Sequence, residues 1–206
     1  MVFLLAVKLA YTAFMAVLVP VYLRNYGPTN FLYFCDLALF LTLGGLWLDD
    51  PLLLSIAATG ILIPQVYWLL DFIVRLVGGR ASGMTDYMFD RRRSLLLRGL
   101  SLFHGWLPLL LIGLLLRSGY DPRALPIWTA LSTVLVLVCY FLMPPPSDRP
   151  GVKPVNINYV YGLSDSAPQQ WMPAWAWLLV ALIGYPLVLY VPAHLLLLHF
   201  MPAAAH

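Results

Sequence analysis

Six apolar runs dominate this chain and leave little room for any other kind of fold. They lie at about residues 2–23, 29–48, 51–77, 98–117, 124–143 and 174–200. A helix needs about 20 mostly apolar residues to cross the hydrocarbon core of a bilayer, and these runs approach or exceed that length. The remaining composition agrees. Of 206 residues, 62% are hydrophobic and 10% charged, and mean hydropathy is +0.84. A soluble domain carries about a quarter charged residues. We therefore expect an all-α, polytopic membrane helix bundle of about six spans, with residues 1–206 forming a single integral membrane domain.

The polar residues set limits on function. All nine acids are Asp. The formal charge of +3 and pI of 8.9 do not point to nucleic acid, because the basic residues cluster beside the apolar runs. Cys35 and Cys139 both fall inside apolar runs, which is no disulfide framework. The first run lacks a basic region before it and a small-residue cleavage site after it, so it reads as a retained span rather than a signal peptide. Lys8 within it can snorkel to the nearby interface.

Lys/Arg asymmetry orients the bundle. Arg24, Arg75, Arg80, Arg91, Arg92, Arg93, Arg98, Arg149 and Lys153 fall on one side, and Arg117, Arg123 and Lys8 on the other. This places the first, third and fifth loops in the cytoplasm and both termini outside, in a plasma membrane of bacterial inner-membrane type. It also gathers Cys35, Asp36, Asp71, His104 and Cys139 into the cytoplasmic half of the bilayer, beside the long fifth loop with Asn156, Asn158, Tyr159 and Tyr161.

Ionisable groups inside a membrane are costly and usually face the protein interior. Each has a structural reading and a functional one. His104, four residues before Pro108, is either a helix–helix hydrogen-bonding group or a general base. Pro108 deprives the His104 carbonyl of its donor, so a bend is expected there. Cys35 is a small hydrophobe or a nucleophile. Asp71 either pairs with Arg75 one turn on or joins the site, with Gln65 and Trp68 within two turns of it. Asp36 has no basic residue one turn away and needs a partner from elsewhere, with His104 and Asn158 as candidates. The Asn158–Tyr161 segment is an interfacial patch or a loop folded over a cavity, its amides available to an oxyanion. Arg91–Arg93 suit anionic lipid headgroups. Trp171, Trp175 and Trp177 read as an interfacial belt. No Cys/His spacing suggests a metal site, and no metal or other cofactor is expected.

Phe34-Cys35-Asp36-Leu37, His104-Gly105-Trp106-Leu107-Pro108 and Asn158-Tyr159-Val160-Tyr161 together resemble, in order and spacing, a superfamily of six-span membrane proteins. It contains the androgen-induced family of fatty-acid-ester hydrolases and a Cys–His branch of phospholipid acyltransferases with bacterial relatives. The resemblance covers roughly residues 28–165. It implies Cys35 as nucleophile and His104 as base. The hydrolase branch uses threonine, and Thr29, six residues before Cys35, does not occupy the equivalent position.

A thiolate beside an imidazole can attack an acyl carbonyl, and water or a lipid alcohol can resolve the thioester. Asp36 or Asp71 would orient the ring and Asn158 would stabilise the oxyanion. Tyr33, Gln65, Trp68, Tyr159 and Tyr161 are the candidate substrate-binding residues. The expectation is an intramembrane lipid acyl hydrolase or acyltransferase acting on a membrane lipid or acyl ester. The alternative is a small transporter or channel, or an accessory membrane subunit whose polar cluster only fixes helix packing.

Overall fold

The computed structural model describes residues 2–147 and 151–204; Arg149, counted above, lies outside them. Local sequence sets where each helix starts and stops. Helix α1 (Val2–Asn25) ends just before Gly27, whose φ of 87° is open to glycine at little cost. Helix α2 (Phe34–Leu48) stops at Asp49 in a left-handed conformation. Asp50 then caps α3 (Pro51–Leu76): its side chain accepts from the Leu52 N–H at 2.8 Å, and Pro51 occupies the first turn, where a missing N–H costs nothing. A short helix, α4 (Leu95–Leu100), leads into α5 (Phe103–Ser118). Helix α6 (Ala124–Leu142) follows. Then α7 (Ala174–Gly184) and α8 (Val191–Phe200) are joined by one π-helical segment, Tyr185–Tyr190.

Five of the six expected spans are present as helices long and apolar enough to cross a membrane: Leu4–Asn25, Pro51–Leu76, Leu95–Ser118, Ala124–Leu142 and Ala174–Phe200. The second is shorter than expected. Helix α2 has 15 residues, about 22 Å at 1.5 Å per residue. Its missing length is the tight 3-10 turn Pro28–Leu32, in which the buried Asn30 side chain turns inward to Asp36. The chain therefore enters this span as a turn and one extended residue, Tyr33, before helix begins.

Helix α3 is the axis of the bundle. Every residue from Leu54 to Ile61 is buried, and α2, α5, α6 and α8 all pack on it. Small residues let neighbours close in: a Cβ on Gly60 would fall 2.1 Å from the Trp128 ring of α6, and one on Gly45 of α2 would fall 2.7 Å from Leu54. Such close approach matters in lipid, where helices gain no hydrophobic push toward one another.

Pro108 lies inside α5 and is buried. The backbone also departs from regular α geometry just upstream of His104. At Ser101 and Leu102 the chain forms i→i+3 bonds, Leu102 N–H to Gly99 O, His104 N–H to Ser101 O and Gly105 N–H to Leu102 O, at 3.0–3.2 Å.

Candidate functional site

The first turn of α2 carries Cys35, and a distant loop holds that turn. Asn158 accepts from the Phe34 N–H at 3.1 Å and donates through Nδ2 to Leu32 O at 2.9 Å. Its second donor contact is Cys139 Sγ at 3.6 Å. Both Asn158 donors are thus committed, so it acts as a clamp on the helix start rather than as the oxyanion donor expected from sequence. The clamp requires an unusual backbone. Asn156, Asn158 and Tyr159 all have positive φ, between 49° and 57°. Asparagine tolerates this region, but tyrosine stores strain there. The surroundings hold it in place: Trp177 donates to Tyr159 O at 2.9 Å and Tyr185 to Asn158 O at 2.7 Å.

Cys35 is half-buried, whereas Cys139 is fully buried. Asp36 is 3% exposed. Its Oδ2 accepts from Asn30 at 3.0 Å and lies 4.0 Å from Cys35 Sγ. Its Oδ1 has no hydrogen-bond partner among the described residues.

His104 is oriented by a carbonyl, not by a carboxylate as expected. Nδ1 lies 2.7 Å from Ser101 O, which accepts from an Nδ1–H tautomer and leaves Nε2 with its lone pair. The ring stacks on Trp68 at 4.8 Å and 21°. Cys35 and His104 make no direct hydrogen bond. Tyr87 lies against Trp68, the ring on which His104 stacks. Its hydroxyl accepts from Trp68 Nε1 at 3.2 Å. Burial lifts this phenol well above its ordinary range, and Cys35 is among the groups that act on it. The Arg93 guanidinium covers both its ring and that of Tyr26, at 5.3 and 5.2 Å.

Asp71 belongs to a different construction. Its carboxylate accepts from Ser82 N–H and Oγ, Gly83 N–H, and Thr85 N–H and Oγ1, at 2.6–3.3 Å. It does not pair with Arg75, which pairs with Asp86 at 3.2 Å. Asp71 therefore folds the loop that delivers Tyr87, and its oxygens are taken up by that loop instead of the His104 ring.

The expected substrate-binding residues divide. Tyr33 is the extended residue just before the first turn of α2. The Tyr159 phenol is raised by burial first, with Asp165, Tyr87 and Cys35 acting on it too. Trp68 backs His104. Gln65 is buried, with Oε1 unpartnered among the described residues. Tyr161 is turned to α6 instead, stacking on Tyr140 at 5.0 Å and donating to its carbonyl.

Sequence reasoning overlooked Tyr87 and Ser101. Tyr87 sits in a basic loop that reads as a headgroup surface. The available signal was Asp71 itself: a buried acid needs donors, and Ser82, Gly83 and Thr85 lie 11–14 residues on. Among the described residues, no three His, Cys, Asp or Glu side chains converge as a metal site. Comparison with protein-family models, curated proteins and solved structures finds no match to this chain.

Proposed function

We propose that this protein is an intramembrane lipid acyl-transfer enzyme in which Cys35 is the nucleophile and His104 the base. The observation that carries the reading is the seating of Cys35. It is a half-buried thiol in the first turn of a helix, 4.0 Å from a carboxylate oxygen of Asp36 and with its turn clamped by Asn158. The first turn of a helix carries N–H groups without an intrahelical partner, and such groups suit the oxyanion that forms when a carbonyl is attacked. His104 keeps Nε2 for the thiol proton and returns it to the leaving alcohol. Closure of the gap between sulfur and imidazole accompanies substrate binding, as catalytic hydrogen bonds often tighten only in the complex.

The substrate is an acyl ester of a membrane lipid, reaching Cys35 from the cytoplasmic half of a bacterial inner membrane, with both termini outside. The exposed Arg91 and Arg92 of the Tyr87 loop meet anionic headgroups.

The test is intact-protein mass after incubation with a long-chain p-nitrophenyl ester. One acyl group is expected on the wild-type chain and on Cys139→Ala, and none on Cys35→Ala. His104→Ala is expected to acylate about 100-fold or more slowly. Acylation that survives Cys35→Ala would sink the proposal.

A further inference from the structure

A buried carboxylate oxygen without a partner is costly and calls for an explanation. Asp36 Oδ1 is such an atom, and it belongs to the carboxylate whose other oxygen lies 4.0 Å from Cys35 Sγ. His104 takes its orientation from Ser101 O, so Asp36 has no part in holding the ring. Asn30 fixes Asp36 by its Oδ2 alone. The carboxylate is thus held on one side and vacant on the other, beside the reacting sulfur.

We infer that Asp36 is the base that activates water to hydrolyse the Cys35 thioester, which makes the protein a hydrolase rather than an acyltransferase. The inference rests on the acyl-transfer reading above. In the first half-reaction Sγ bonds to the acyl carbon and the C–O bond to the alcohol breaks. The thiol proton passes through His104 Nε2 to the departing alkoxide. In the second, a water donates to Asp36 Oδ1. Its oxygen bonds to the thioester carbon, its proton moves to the carboxylate and the C–S bond breaks. Asp36 then returns that proton to the Cys35 thiolate. The products are a fatty acid and the free thiol, and water is the only co-reactant.

Size separates water from a lipid alcohol. Asp36 is 3% exposed, and Asn30 beside it 6%. Beside so buried a carboxylate a water, which needs only about one probe sphere of space and two to four polar partners, fits more readily than the alcohol of a second lipid.

The experiment uses the full chain in detergent with p-nitrophenyl palmitate, following p-nitrophenol release and intact mass. Asp36→Asn is expected to release a single equivalent in a burst. It then holds the palmitoyl group on Cys35, with deacylation slowed about 100-fold or more. Asp36→Ala should behave alike and regain turnover with added formate, a rescue that a purely structural role would not allow. Asn30→Ala keeps the carboxylate and provides a further arm: it should alter deacylation and leave the burst intact. Turnover of Asp36→Asn near the wild-type rate overturns the inference while the acyl-transfer reading stands. So does a folded Asp36→Asn that fails to acylate. Added decanol captured as palmitoyl ester in preference to free palmitate overturns the water assignment. A wild-type chain that never carries palmitate on Cys35 overturns the parent reading and this one with it.

Discussion

The two ends of the bundle are built on opposite principles. At the end holding the turns after α2 and α5, connections are short and polar groups are matched. Lys8 pairs with Asp49 at 2.7 Å, and Arg123 with Asp121 at 2.6 Å. Tyr120 joins His194 at 2.6 Å and Thr59 at 3.0 Å, and the Asp121 N–H donates to Ser55 at 2.9 Å. The chain's tail closes this end, with Tyr120 N–H donating to Pro202 O at 2.7 Å; Gly119 permits it, because a Cβ there would fall 2.5 Å from Ala203 O. At the other end two long loops fold over the starts of α2 and α5. Buried oxygens of Asp36 and Gln65 stay unpartnered, and Tyr159 sits in a strained backbone region. The contrast lies in how polar groups are satisfied: one end uses them to hold helices together, while the other leaves buried oxygens of Asp36 and Gln65 without a partner among the described residues.

This difference can be probed by substitution. The largest effect is expected from Asp71→Ala, which strips five donors of their acceptor, two of them on the fully buried Thr85. The expected loss is about 3 kcal/mol, read by thermal unfolding in detergent. Limited proteolysis should show early cleavage at Arg80 and Arg91. A loop as resistant as wild type would mean that Asp71 is not its anchor. Tyr120→Phe should cost about 1–2 kcal/mol and leave acylation of Cys35 unchanged; a loss of acylation would show that the two ends are coupled.

A pH effect comes next. Desolvation pushes the Asp165 carboxyl from 3.8 up to about 6 although the residue lies at the surface, with Arg93 opposing. A carboxyl raised on folding stabilises the folded state at low pH. That contribution is lost as pH rises from 3.8 through about 6. Asp165→Asn should therefore flatten the pH dependence of unfolding in that window, and an unchanged profile would remove Asp165 from the account. The smallest effect belongs to Lys8→Met. Its partner Asp49 is 64% exposed, so the pair contributes about 1 kcal/mol or less. A larger shift in melting would mean that this end is held more tightly by charge than its exposure implies.

Much of this was legible in the chain. Continuous apolar runs marked the spans, Asp50-Pro51 marked a helix start, and the buried Asp and His residues marked one end as chemically distinct. What stayed hidden follows from the nature of the contacts. A helix-period pattern does not reveal that Pro28–Leu32 tightens into a turn, because Asn30 does so by reaching Asp36. Asp71 next to Arg75 reads as a one-turn ion pair, yet five donors from a following loop outcompete a single half-exposed guanidinium. Tyr87 reads as part of a headgroup surface, and its place beside Trp68 depends on that loop's folding. Asn158 was identified as a site residue, but its role reversed once both its donors were seen to be occupied.

The sequence by itself determined that this chain is a bundle of membrane-crossing helices, because lipid leaves backbone polar groups no other partner and runs of this length no other solvent. It also determined which residues are expensive to bury. Tertiary structure alone decided how that cost is met. Asp71 is satisfied by its own loop and His104 by the Ser101 carbonyl, while one oxygen of Asp36 has no partner among the described residues. Those outcomes depend on which helix ends meet, at separations of tens of residues along the chain, and no local pattern records them.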